Sequence, residues 1–249
     1  MVSVRIGARG GGTRTGVRKL RRPVATSTPS FNPLTDITWA KLSWASDPDW
    51  TPPSDLGAVS SWRNAGTVSG DHTDLGVAAN DPTYHAAYSN LNGQPALVFD
   101  GTNDALYAAA FTAIPQPWSL VAITYQGTLA SRAIGSAQVG VGAGASSYMG
   151  TITSGTMWYL GTSAASISGG TVTTGGHVAV GVVNGASSLI AVDGVTVATG
   201  TIGSGTATRT GIGVDGGTTK PWNGAVSLFG LYAGDFTADP AYADFLAWA

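Results

Sequence analysis

Ile190-Ala-Val-Asp-Gly-Val-Thr-Val197 is the stretch whose reading decides the fold class. Asp193-Gly194 sits between two β-rich runs. Asp-Gly in that setting matches a two-residue type I′ hairpin turn, whose two central residues both take positive φ. Outward from this hairpin the same signature recurs from about Phe31 to the end, with turns at short intervals. The strand candidates are Ile37–Trp44, Ala58–Trp62, Ala96–Phe99, Ala105–Ala109, Ser119–Tyr125, Ala137–Val141, Met157–Leu160, His177–Val183, Leu189–Val192, Val195–Ala198, Thr210–Val214 and Ala225–Tyr232. One helix is predicted at the end, with Thr237 as N-cap. Its Tyr242, Phe245, Leu246 and Ala249 recur at helical spacing and give one apolar face to dock on a sheet. A dozen short strands with a single short helix predict an all-β, antiparallel two-sheet sandwich.

Composition agrees. Only 10% of the 249 residues are charged, and Gly supplies 36, about twice its usual share of roughly 7%. Glycine without a collagen period suits many tight turns and disfavours long helices. All fourteen acids are Asp and there is no Cys, so Glu-based catalysis, disulfides, thiolate metal sites and thiol nucleophiles are excluded. No apolar run approaches the ~18 residues of a membrane span, and the N-terminus lacks a signal-peptide core. No membrane insertion is expected.

Charge divides the chain in two. Residues 1–22 hold Arg5, Arg9, Arg14, Arg18, Lys19, Arg21 and Arg22 and no acid. The remaining five bases face fourteen acids, so an arm of +7 precedes a body of −9. Residues 1–30 therefore read as a basic extended arm with a Pro-rich linker, and 31–249 as the sandwich. An arm of this kind suits docking into an acidic neighbouring subunit. Nucleic acid and free solvent are the alternatives, and the absence of aromatics in the arm disfavours single-strand binding.

Three segments resemble a known family. Trp44-Ala-Ser-Asp47, Ser61-Trp62-Arg63, Pro82-Thr83-Tyr84, Asn92-Gly93-Gln94-Pro95 and Phe99-Asp100-Gly101-Thr102-Asn103-Asp104 are similar to the opening half of concanavalin A-like, LamG-type jelly rolls of bacteriophage virion proteins. His177-Val-Ala-Val with Leu189–Gly194 resembles the family's late hairpin, and Trp222–Tyr232 its closing strand. The resemblance implies a jelly roll and a non-enzymatic minor tail or tail-tip protein. Such a protein would be multicopy in a symmetric assembly, anchored to other virion proteins by its arm, with an outward domain for host cell-envelope polysaccharide. A capsid decoration protein with purely structural contacts is the rival reading. A carbohydrate-active enzyme is third, because retaining glycosidases of this fold place paired carboxyls, commonly Glu, on a strand.

The chemistry in the residues is sparse. Asp47/Asp49 and Asp71/Asp74 lie in turn-like contexts, and His72, His85 and His177 have no ligand spacing. Asp100, Asn103 and Asp104 offer hard oxygens within one turn, which suits calcium, although Asp-Gly and Asn-Asp are also ordinary turn residues. No cofactor is required. Trp39, Trp44, Trp62 and Trp118 read as core, while Tyr148, Trp158 and Trp222 lie near Gly-rich turns and are candidate glycan-stacking residues. Adjacent Trp158 and Tyr159 must face opposite ways on a strand, so one patch can use at most one of them.

Overall fold

The computed structural model describes residues 31–249 apart from Leu75, Ser131 and residues 140–145, 153–154, 163–164 and 216–219. The arm and its seven bases lie outside the described residues.

Among the described residues sixteen strands form two antiparallel sheets. In chain order they are β1 (Lys41–Trp44), β2 (Ser61–Trp62), β3 (His72–Thr73), β4 (Thr83–Tyr88), β5 (Gln94–Asp100), β6 (Leu106–Ala108), β7 (Trp118–Gln126) and β8 (Arg132–Val139). There follow β9 (Ser146–Ile152), β10 (Met157–Gly161), β11 (Ser166–Thr171), β12 (Gly176–Val183), β13 (Ser188–Val192), β14 (Val195–Gly200), β15 (Ala207–Ile212) and β16 (Asn223–Tyr232). The first sheet runs β14-β13-β12-β7-β16-β5-β4, with β1 also paired to β16; the second runs β11-β10-β9-β8-β15-β6-β3-β2. The expected antiparallel two-sheet jelly-roll sandwich is the fold observed.

The predicted hairpin stands as read. Asp193 and Gly194 take φ of 50° and 80°, and Val192 pairs with Val195 across the turn. The strands β3, β4, β9 and β11 are not among the candidates. Their sequences, such as Ser166-Ile-Ser-Gly-Gly-Thr171, carry too few apolar residues to reveal a period, and pairing with β10 defines β11.

Between the sheets, Trp62, Trp118, Trp158, Trp222, Leu97, Leu106 and Phe229 are fully or almost fully buried. Packing there is tight enough that a Cβ at Gly135 would overlap the Phe229 ring. The first sheet is also covered on its outer face, where Ile37, Trp39, Phe236 and Phe245 form a second apolar layer with Leu42, Val121, Val180 and Leu228. That double covering explains why β7 and β16 are apolar along nearly their whole length instead of alternating.

The C-terminal helix is shorter than predicted. The segment Phe236–Ala238 is a separate 3-10 turn in which the Asp235 carboxylate accepts from Thr237 N, so Thr237 is not the helix cap. The Asp239 carboxylate accepts from Ala241 N, and α1 then spans Tyr242–Trp248. Pro240 lacks an N–H and disfavours the helical region for the residue before it, which delays the start. Phe245 anchors the helix against Trp39 and Phe236. Trp39, Trp62 and Trp118 are core as read, whereas Trp44 is partly buried against Trp248.

Candidate functional site

His72 and Lys41, two buried titratable groups, are consumed by structure. His72 on β3 is fully buried, with Nδ1 3.0 Å from Ser43 Oγ and Nε2 2.8 Å from Thr210 Oγ1. Ser43 Oγ donates its proton to the Arg63 carbonyl, so Nδ1–H must donate to Ser43, and Nε2 accepts from Thr210. The neutral imidazole fits, and burial, then the Lys41 charge, push its pKa down to about 3. Lys41 itself is buried with its ammonium on the Ser69 and Gly70 carbonyls, and burial lowers it to about 8 against the opposing pull of Asp71.

The carboxylates are mostly spent on turns. Asp47 accepts from Asp49 N, and Arg63 clasps both carboxylates. Asp71 accepts from Asn64 N and Asp74 from Gly76 N. Asp74 also meets Asp81, whose carboxyl is raised by burial and then by the Asp74 charge.

The calcium candidates go the same way. Asp100 Oδ1 accepts from Thr102 N and Asn103 N, Asp104 Oδ2 accepts from Asp100 N, and Asn103 Nδ2 donates to the Ala79 carbonyl and Asn80. Burial, reinforced by Asp100 and Asp81, raises Asp104 to about 6 against the Asp100 N–H. Among the described residues no three acidic or imidazole side chains converge on a metal position. These residues build a turn through Asp100 Oδ1 and Asp104 Oδ2.

The three proposed stacking residues are corrected. Trp158 and Trp222 point between the sheets at 2% and 0% exposure. Tyr148 lies on the outer face of the second sheet at 7% exposure, stacked on Tyr159 with centroids 4.6 Å apart. The Lys220 ammonium sits over both rings, 4.5 Å and 5.8 Å from their centroids, and bonds the Tyr148 hydroxyl. With these faces already covered, Tyr148 offers a sugar no stacking platform. The opposite-face argument holds: Trp158 faces in and Tyr159 faces out.

A concavity lies elsewhere, on the outer face of the first sheet. A cavity of about 380 Å³ lies between the β4–β5 turn, the ends of β7 and β12, the Asp193 hairpin and the last turn of α1. Its floor is Leu91, Ile123, Val178 and Leu246, and its polar lining is Asn90, Asn92, Gln94 and Asp193, while the ring of the adjoining His177 turns the other way, edge-on to Trp158 at 5.4 Å. The turn that carries the amides follows from local chemistry. Residues 89–91 make a 3-10 turn, Asn92 takes φ of 55° and Gly93 φ of 76°, and Gly93 N donates to the Tyr88 carbonyl. Asn tolerates the left-handed region, and its side chain then projects from the turn. Gly176 lets this turn approach the sheet, since a Cβ there would come within 2.9 Å of Leu91 Cδ2.

The polar groups fall into two kinds. Asp193 and His177 are bound to each other and to the fold. Asp193 Oδ2 is 2.8 Å from His177 Nδ1, Oδ1 accepts from Val178 N at 2.9 Å, and His177 Nε2 is 3.1 Å from both oxygens of Thr173. The Thr–His–Asp order resembles that of a nucleophile triad: with Nδ1–H donated to Asp193, Nε2 is left to accept from Thr173 Oγ1, and the Thr173 carbonyl lies at the same distance. In contrast, no carboxamide of Asn90, Asn92 or Gln94 has a partner among the described residues. Beside them stand two partly buried tyrosines. Tyr88 pairs with Gln94, Tyr125 pairs with Gly176, and the two rings meet edge-on at 5.9 Å.

No protein-family model matches the sequence, and no curated protein does. Among solved structures, the fold is similar to domain 4 of AbnA, a GH43 extracellular arabinanase of Geobacillus stearothermophilus solved with arabinotriose. Identity is 13%, covering 84% of this chain and 98% of that one, with a TM-score of 0.59. It is also similar to Trypanosoma rangeli sialidase in complex with the inhibitor DANA, at 15% identity, 79% and 31% coverage and a TM-score of 0.51. The chain thus spans 31% of the sialidase's length. At these identities the likeness is one of fold: an antiparallel two-sheet sandwich.

Sequence reading missed the cavity, because its walls come from five separated segments. One signal was available. Ser89-Asn-Leu-Asn-Gly-Gln94 places three carboxamides within five residues around a turn.

Proposed function

We propose that the chain is a non-catalytic, glycan-binding jelly roll, with sugar seated in the cavity on the outer face of the first sheet. The observation that carries this reading is the set of three unpartnered carboxamides above an apolar floor. Sugars present apolar ring faces and fixed hydroxyls, so they need apolar or aromatic surface beside groups that both donate and accept. The volume falls in the lower part of the range for small-molecule sites, roughly 300–1,000 Å³. The arabinotriose bound to the AbnA domain is in keeping with this use of the fold. The non-catalytic part rests on the lining itself: its one carboxylate, Asp193, has both oxygens engaged, and glycoside hydrolysis asks for a second.

The setting we infer is the surface of a bacteriophage particle, as a minor tail or tail-tip protein anchored through residues 1–30. It rests on the resemblance of residues 34–106 and on the +7 arm. The test has two parts. Pull-down on cell walls, β-glucan, arabinogalactan and peptidoglycan should retain the protein without reducing-end release; release abolished by an Asp→Asn change defeats the non-catalytic reading. Deleting residues 1–25 should leave a soluble sandwich that no longer enters particles, and normal incorporation defeats the anchoring role.

A further inference from the structure

The cavity's lining also bears on which sugars it takes, an argument that rests on the glycan-binding reading above. Its polar contacts are carboxamides and one carboxylate, with no Lys or Arg. Four of the five bases outside the arm are accounted for elsewhere. Lys41 is bound to the Ser69 and Gly70 carbonyls, Arg63 clasps Asp47 and Asp49, Arg209 lies over the Tyr107 ring, and Lys220 over Tyr148. Arg132 opens β8 in the second sheet. His177 turns Nδ1 to Asp193 and Nε2 to Thr173, so neither ring nitrogen is free for a ligand.

The field at this end of the sheet is negative. The Asp193 side chain is about half exposed (53%) at the cavity wall. On α1, one turn before Leu246, the Tyr242 hydroxyl is buried without a partner, and its phenol is raised by burial and then by the charges of Asp193 and Asp235. Among the described residues, a ligand carboxylate entering here would find no Lys or Arg and one fixed anion. A neutral polyol would find six hydrogen-bonding groups, an oxygen and an NH₂ from each of Asn90, Asn92 and Gln94.

We propose that the cavity is selective for uncharged sugars and rejects those bearing a carboxylate. Selectivity of this sort comes from an unpaired like charge set against the wrong ligand, in addition to contacts made with the right one. Amide oxygens and NH₂ groups can rotate to serve hydroxyls in several configurations, so discrimination by charge should exceed discrimination between neutral epimers.

Matched pairs decide the matter: galactose against galacturonic acid and glucose against glucuronic acid, by calorimetry or ligand-observed NMR on the full chain in low salt. The neutral member should bind at least tenfold tighter, with the gap narrowing as salt rises. Asp193→Asn keeps a favourable hairpin turn, since Asn-Gly serves type I′ as well as Asp-Gly does. It should shrink the neutral-over-acidic ratio severalfold. Equal or tighter binding of the acids overturns the proposal, as does a ratio untouched by Asp193→Asn. Failure of every monosaccharide while cell-wall pull-down succeeds overturns it and leaves glycan binding standing; failure of both removes the two readings together.

Discussion

Two polar clusters sit on opposite faces of the first sheet, and they differ in how much of their hydrogen-bonding capacity the fold uses. On the inner face, Ser43, His72 and Thr210 form a closed chain in which each donor has an acceptor, away from water. On the outer face, Asn90, Asn92 and Gln94 give the fold nothing and stand in water at a cavity rim. A buried polar group must be satisfied internally or it costs stability, whereas a hydrated one can exchange water for a ligand at little net loss. The inner cluster should therefore matter for stability and be silent in binding, and the outer one the reverse.

The largest expected effect is on the inner side. His72→Leu keeps apolar volume but leaves Thr210 Oγ1 and one side of Ser43 Oγ unpaired in the core. Unfolding free energy should fall by about 2–4 kcal/mol in chemical denaturation, in line with roughly 1–3 kcal/mol per stranded buried group. Glycan pull-down at low temperature should be unchanged. A loss below about 1 kcal/mol, or a loss of binding in still-folded protein, breaks the division between the faces.

Acid sharpens the same comparison. The His72 pKa is near 3 folded and 6.5 unfolded, so its contribution is complete above pH 6.5 and is lost as pH falls toward 3. Asp104 works in the other direction: raised from 3.8 to about 6, it contributes below pH 3.8 and loses that contribution as pH rises through 6. The two oppose each other between about pH 4 and 6, and no single group can exceed a slope of roughly 1.4 kcal/mol per pH unit. His72→Leu should flatten or reverse the acid-side decline of the wild type. An acid limb identical in both proteins removes His72 as its cause.

The outer cluster comes next. Asn92→Gly preserves the left-handed turn while deleting one amide, and Asn90→Ala removes another from an exposed position. The double variant should bind glycan about tenfold or more weakly, at about 1 kcal/mol per lost hydrogen bond, and unfold within about 1 kcal/mol of wild type. Undiminished binding would move the sugar site off this cavity.

How far the sequence reaches differs between the faces for the same reason. Asp193-Gly194 and the Trp-rich strands could be read because a turn type and a buried side chain each leave a local pattern. Adjacent Trp158 and Tyr159 had to part, but the choice of which faces water is made by register with β9, and the larger ring went inside. Tyr148 is on the outer face, yet Lys220, 72 residues away in sequence, covers it. The cavity is a product of topology alone: residues 90–94, Ile123, Gly176–Val178, Asp193 and Leu246 meet only because β12 lies between β7 and β13 and α1 folds back over them.

The smallest expected effect is none at all, at the Asp100–Asp104 turn. A calcium site of Kd about 0.1 mM would stabilise the native state by about 1.8 kcal/mol at 2 mM free ion, through mass action on the folded form alone. For a domain of this size that corresponds to a rise in Tm of roughly 3–7 °C, well outside measurement error. The geometry argues against it. Asp100 Oδ1 already serves two backbone N–H groups, Asp104 Oδ2 serves a third, and Asn103 donates away from the turn. A cation would have to displace those bonds and recruit oxygens that the turn holds for itself. Thermal melts in EDTA and in 2 mM CaCl₂ should therefore superimpose within about 1 °C, and Asp100→Asn should leave that difference at zero while lowering both midpoints together. A calcium-dependent rise abolished by Asp100→Asn would restore the metal reading and place a third kind of polar cluster on this sheet.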